Sequence, residues 1–157
     1  MKKLIALIFL SLMFTGVKFY HSGDFDTLKG YDKVVIVCEK LKAEKIENIG
    51  FDQQIESGND IYFIFKNKSF NDLKAKFKND FKGVNLYFNN SFSLKDFENM
   101  LNLTFSENYK IDSYQVYSSF YEGFLDFKIV NGKKINVQLV KTQQNWVLGF
   151  PLIITGF

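Results

Sequence analysis

Apolar positions fall into three kinds of pattern along the chain: one long run, two stretches at helical spacing, and a strand-rich C-terminal half. The long run extends from Leu4 to Val17, preceded by Lys2-Lys3 and closed by Lys18. At about 14 residues it is shorter than the roughly 20 needed to span a bilayer core, so it fits an export signal or short anchor. Residues 1–22 are therefore expected to be a signal peptide or membrane anchor, and 23–157 a single domain. No A-x-A pattern comes after the run. Thr15-Gly16 and Ser22-Gly23 are the best small-residue cleavage sites, and no Cys stands where a lipoprotein anchor would need one.

From Asp26 onward Leu28, Tyr31, Val34 or Val35, Cys38 and Leu41 recur at three- and four-residue spacing, which predicts an amphipathic helix over 26–42. The β-branched run Val34-Val35-Ile36-Val37 pulls toward strand instead. Ala43 to Ile55 reads as extended, Ser57-Gly58-Asn59-Asp60 as a turn, and Ile61 to Phe65 as a strand, the two segments pairing as a hairpin. Ser69 and Asp72 then open a helix whose face is Phe70, Leu73, Phe77 and Phe81, with Gly83 as its stop. Val84 to Phe88 is a strand. Ser93 and Asp96 repeat the start signal ahead of Leu94, Phe97 and Leu101, about 24 residues after the first copy.

Beyond Tyr109 every segment reads as strand. Tyr114, Val116, Ser118 and Phe120 alternate, Glu122-Gly123 turns, and Phe124 to Val130 runs back. Asn131-Gly132 is the strongest local signal, because both residues tolerate the positive φ of a type I′ hairpin turn. Ile135, Val137 and Leu139 alternate on the return strand, Thr142 to Asn145 turns, and a last strand from Trp146 is bent or ended by Pro151 at a sheet edge. The expected architecture is α+β: a largely antiparallel sheet with two or three helices on one face and a C-terminal β-meander.

Composition narrows the function. A chain 46% apolar and 24% charged is globular in class. Lysine supplies all 20 basic side chains, and every one of the 17 acids comes after residue 20. Removing Lys2, Lys3 and Lys18 leaves the remainder neutral, so the formal +3 belongs to the N-terminal address. Without Arg there is no planar fork for bidentate phosphate or base recognition, and no nucleic-acid partner is expected. The lone Cys38 excludes an internal disulfide.

Catalytic equipment is sparse. His21, the only histidine, sits at the signal boundary, so neither a Ser-His triad nor a His-rich metal site is expected in the domain. Cys38 reads as a buried thiol. Glu122 and Asp126 are the best pair for carboxylate chemistry across a turn, and would suit a small envelope hydrolase. No glycine pattern cradles phosphate. No cofactor or metal is expected. The remaining oddity is aromatic: 19 Phe, 8 Tyr and one Trp. Most of the Phe fit core faces, but Tyr114, Tyr117, Tyr121 and Trp146, with Tyr109 nearby, would form a binding surface if one sheet face stayed open.

Residues 84–155 read as strand, helix, then four antiparallel strands, closing on Trp146-Val147-Leu148-Gly149-Phe150-Pro151-Leu152-Ile153-Ile154. This resembles the YwmB-type family of exported proteins from spore-forming Firmicutes. The resemblance implies a saddle like that of the TATA-box-binding protein, with no established activity, and does not carry DNA binding with it. The expectation is a non-enzymatic domain, exported and either released or tethered by residues 1–20, that binds a protein or a cell-envelope component.

Overall fold

The computed structural model describes residues 28–43, 49–78, 80–111, 113–124 and 127–151. Residues 1–27, His21 among them, and Asp126 lie outside them. In order, the described elements begin with β1 (Tyr31–Glu39), α1 (Lys40–Ala43), β2 (Gln53–Ser57), β3 (Asp60–Lys66), α2 (Phe70–Lys76), β4 (Gly83–Asn89) and α3 (Leu94–Leu101). The second half is β5 (Ser106–Ile111), β6 (Tyr114–Ser119), β7 (Lys128–Val130), β8 (Lys133–Ile135), β9 (Val137–Lys141) and β10 (Asn145–Phe150). Eight strands form one sheet in the order β2-β3-β1-β4-β10-β9-β6-β5, and neighbours are antiparallel throughout. β7 and β8 pair separately. The chain is thus α+β, with a longer sheet than the strand signals alone suggested.

The helix expected over 26–42 is instead β1, followed by the single turn α1. β1 lies between β3 and β4, and side chains on both of its faces are buried. Val34, Ile36 and Cys38 turn to one side and Val35 and Val37 to the other, and all five are buried. A strand buried on both faces shows a continuous apolar run, without the alternation that marks a half-exposed one. Leu41, counted on the helical face, is 76% exposed. Ala43 belongs to α1 and not to an extended segment.

β2 and β3 form the expected hairpin, with Ser57 opposite Asp60. α2 starts after Ser69, but the Ser69 side chain makes no capping hydrogen bond. Its end comes earlier than expected: Phe77 is the C-cap, Lys78 takes a φ of 51°, and Gly83 opens β4. Phe81 still reaches the core, from the loop rather than the helix. α3 has the full reciprocal cap. The Ser93 hydroxyl accepts from the Asp96 amide, and the Asp96 carboxylate accepts from the Ser93 amide at 2.7 Å.

Both longer helices pack on one face of the sheet. Phe70, Leu73 and Phe77 from α2 with its C-cap, and Phe97 and Leu101 from α3, join one cluster with inward residues of β1, β3, β4, β9 and β10. The rings meet mostly edge to face, as their quadrupoles favour: Phe65–Phe77 at 89° and Phe88–Phe97 at 89°. Burying these side chains stabilises each short helix by several kcal/mol, about 1.5–3 per side chain, well beyond its intrinsic propensity.

The C-terminal meander carries an excursion. β5, β6, β9 and β10 are neighbours in sequence order across the sheet, but β6 pairs with β9, Val116 opposite Val140. The segment expected to run back along β6 contributes only β7, which pairs with β8 around Asn131-Gly132. Those two residues have φ of 50° and 75°, as a type I′ turn requires. Pro151 does end β10, after a cis peptide bond, but β10 lies between β4 and β9 and not at an edge. An interior strand accommodates a proline once its ladder has ended. Leu152 to Ile154 lie outside the described residues.

Candidate functional site

The expected aromatic surface does not form as one exposed face. Trp146 is 2% exposed and Tyr117 9%, and both point into the helix-covered core with ring centroids 6.1 Å apart. The Trp146 indole donates to the Phe92 carbonyl at 2.9 Å, which ties β10 to the loop before α3. Tyr121 is half-buried and packs edge-on against Phe124 at 4.9 Å. Tyr109 is exposed, on the edge strand β5. Tyr114 alone of the four lines a cavity.

That cavity is an open hollow of about 540 Å³ on the sheet face opposite α2 and α3. Its floor is Lys33 from β1, Tyr87 from β4 and Val147 from β10, three neighbouring strands whose register places Lys33 opposite Tyr87 and Tyr87 opposite Val147. Its wall is Ser113 and Tyr114 at the β5–β6 turn, facing Thr142 to Asn145 at the β9–β10 turn. The second wall is held rigidly. The Thr142 hydroxyl donates to the Asn145 carbonyl and accepts from the Asn145 amide, both at 3.0 Å, and Asn90 donates to the Gln143 carbonyl at 2.6 Å.

Electrostatics single out Lys33. Its ammonium lies 3.5 Å from the centroid of the Tyr87 ring, on the negative face of the π system. Burial pulls its pKa below the ordinary lysine value; Asp32 opposes this and Lys66 adds to it. Lys66 is the cross-strand partner of Lys33. Among the described residues, every lining residue other than Lys33 is uncharged: phenols, hydroxyls, amides and one valine. A half-buried cation facing hydrogen-bonding groups without a carboxylate among them is suited to receive an anion.

The other candidates divide. Cys38 is buried, its thiol directed at the Asp80 carbonyl 3.9 Å away, and burial pushes its pKa up to about 12. It is not poised as a thiolate. Glu122 is exposed at its turn, and its expected partner Asp126 lies outside the described residues. Among the described residues no three His, Cys, Asp or Glu side chains gather to hold a metal, and no helix is long and apolar enough to cross a membrane.

Two residues stand out in the structure without a matching expectation from the sequence, Lys33 and Asn136. On the expected helix Lys33 is one charge among several. Asn136 interrupts an alternating strand, yet it is fully buried, donating to the Tyr121 carbonyl at 2.8 Å and accepting from the Tyr121 amide at 2.7 Å. Its one signal is an Asn standing between Ile135 and Val137, where the chain changes sheets.

No protein-family model matches the chain, and no curated protein or solved structure is significantly similar to it. The fold and the hollow together define an α+β domain with a rigid, cation-floored cleft.

Proposed function

We propose that the chain is a non-enzymatic binding domain, exported and either released or tethered by residues 1–20, that takes an acidic group of a cell-envelope partner into the Lys33 hollow. One observation carries this reading: the Lys33 ammonium is half-buried on Tyr87, beside Lys66, in a cleft whose other described lining residues are uncharged. An incoming carboxylate or phosphate would relieve that burial cost, while the Gln143, Gln144 and Asn145 amides line the same cleft and suit hydrogen bonds to flanking groups. Among the described lining residues none is a carboxylate, histidine or cysteine, which favours binding over turnover. The resemblance of residues 84–155 to YwmB-type exported proteins, and with it the saddle-like fold, belongs to the same proposal.

Two probes test it: a glycerol-phosphate oligomer and a poly-glutamate peptide, each titrated into ¹⁵N-labelled protein. Amide shifts at Tyr87, Asn145 and Val147 are expected with one of them, abolished by Lys33→Gln, and the responding probe tells polymer from polypeptide. Shifts confined to exposed lysines elsewhere, or unchanged by Lys33→Gln, overturn the assignment.

A further inference from the structure

Charge is segregated along the chain in a way that its overall balance conceals. Residues 23–126 carry thirteen lysines and seventeen acids, whereas residues 127–157 carry four lysines and no acid. Three of those four, Lys128, Lys133 and Lys134, lie on the β7–β8 hairpin. The hairpin shares no ladder with the main sheet. Its base is fixed by the Phe120–Phe127 ring contact at 6.0 Å, with the Lys134 ammonium 4.6 Å from the Phe127 centroid.

Its outer surface is apolar as well as basic. Ile129 is 68% exposed, and Phe127 and Val130 are each 42% exposed. The register sets Ile129 opposite Lys134 and Val130 opposite Lys133, so each aliphatic residue has a lysine as its cross-strand partner. Apolar tips flanked by lysines are an interfacial pattern: the aliphatic groups enter the boundary between headgroups and acyl chains, and the lysine stems lie along them with their charges on the phosphates. A protein-binding patch has the opposite bias, with lysine depleted and Trp, Tyr and Arg enriched.

The geometry points to a membrane-docking element: the β7–β8 hairpin lies tip-first on an anionic phospholipid surface, with Ile129 and Val130 in the interface and Lys128, Lys133 and Lys134 against lipid phosphates. This assignment is independent of the Lys33 hollow and of how residues 1–20 are processed.

The test places an environment-sensitive NBD fluorophore on Ile129→Cys in the full chain, where buried Cys38 stays unlabelled. Vesicles of phosphatidylcholine with and without phosphatidylglycerol are compared. With phosphatidylglycerol the emission is expected to shift to the blue and to be quenched by spin labels near the headgroup. Exchanging Lys128, Lys133 and Lys134 for Gln should reverse this, with roughly a fivefold loss of partitioning per lysine. A label on Leu41→Cys should stay water-like. Protection of the Lys133–Lys134 bond from trypsin by the same vesicles gives a second reading on unsubstituted protein. The proposal is overturned if position 129 stays in water on anionic vesicles, or if phosphatidylcholine alone gives the same shift regardless of the lysines. A blue shift without lipid that grows with protein concentration would overturn it too, assigning the hairpin to self-association.

Discussion

Lys33 on β1 and Tyr87 on β4 are cross-strand partners, and the ammonium of one lies 3.5 Å above the ring of the other. The ring offsets part of the cost of taking that charge out of water, by about 0.5–1 kcal/mol. Burial nevertheless holds the pKa below the usual lysine range. Between the folded and unfolded pKa values the unfolded chain binds more protons, so this group's contribution to stability rises with pH there, and its penalty is fully present at lower pH. Nζ-detected NMR is expected to show Lys33 losing its proton below the ordinary lysine pKa. Lys33→Met should keep the packing on Tyr87, leave stability at neutral pH within about 1 kcal/mol of the original, and remove that alkaline rise from an unfolding series against pH.

Cys38 behaves in the opposite sense. Burial, reinforced by the charge of Asp80, carries the thiol to about 12. The folded chain keeps that proton where the unfolded chain has lost it, so stability falls as pH climbs from about 8.5, the free thiol's value, toward about 12. At pH 8 a disulfide-exchange reagent should modify the native protein only at the rate at which it opens, and denatured protein within seconds to minutes. Rapid modification of the native protein would contradict the burial.

The two helix starts look alike in sequence and differ in strength. Ser93 and Asp96 satisfy each other's backbone amides, whereas Ser69 makes no side-chain cap. Ser93→Ala should cost about 1 kcal/mol and Ser69→Ala only a few tenths. Chemical denaturation of both variants reads the difference directly. The hydrogen bonds from Ser93 also hold Asp96 below the usual carboxylate range, so its contribution is present above the unfolded pKa and lost as pH falls through the folded one.

Asn136 substitutes for a missing stretch of ladder. Its side chain bonds both the amide and the carbonyl of Tyr121, at the point where the chain leaves the β7–β8 hairpin for β9. Asn136→Leu removes the side-chain partner of the Tyr121 amide, at about 1–3 kcal/mol, and one of the two hydrogen bonds to the Tyr121 carbonyl, which still accepts from the Phe124 amide at 3.3 Å. A fall in stability of about 1–4 kcal/mol is expected, and hydrogen exchange at Tyr121 should accelerate more than at Leu148. Equal acceleration throughout would mean the residue acts only through global stability.

Elements whose signals are complete within a few residues were legible. The capping box at Ser93, the type I′ turn at Asn131-Gly132 and the hairpin turn at Ser57–Asp60 all depend on backbone angles and short-range bonds. β1 was not, because a run of Val and Ile cannot disclose that other strands will cover it on both sides. The aromatic surface failed for a related reason. Tyr114 and Tyr117 are close in sequence on β6, but odd and even positions face opposite sides of a sheet. Trp146 joined Tyr117 on the covered side, leaving Tyr114 alone with the hollow.

The amino-acid sequence by itself determined the α+β class, the helix starts after Ser69 and Ser93, the turns at Ser57–Asp60 and Asn131-Gly132, the lysine-flanked apolar run at the N-terminus and the neutral charge of residues 23–157. The acid-free stretch after Asp126 was also there to be read, though a whole-domain tally averages it away. Tertiary structure alone decided that β10 enters between β4 and β9, that β1 is a central strand, and that Lys33 rests on Tyr87 beside the β9–β10 turn. These depend on contacts between segments tens of residues apart, whose loop-closure cost is repaid only when whole faces are buried together. No local spacing records that exchange.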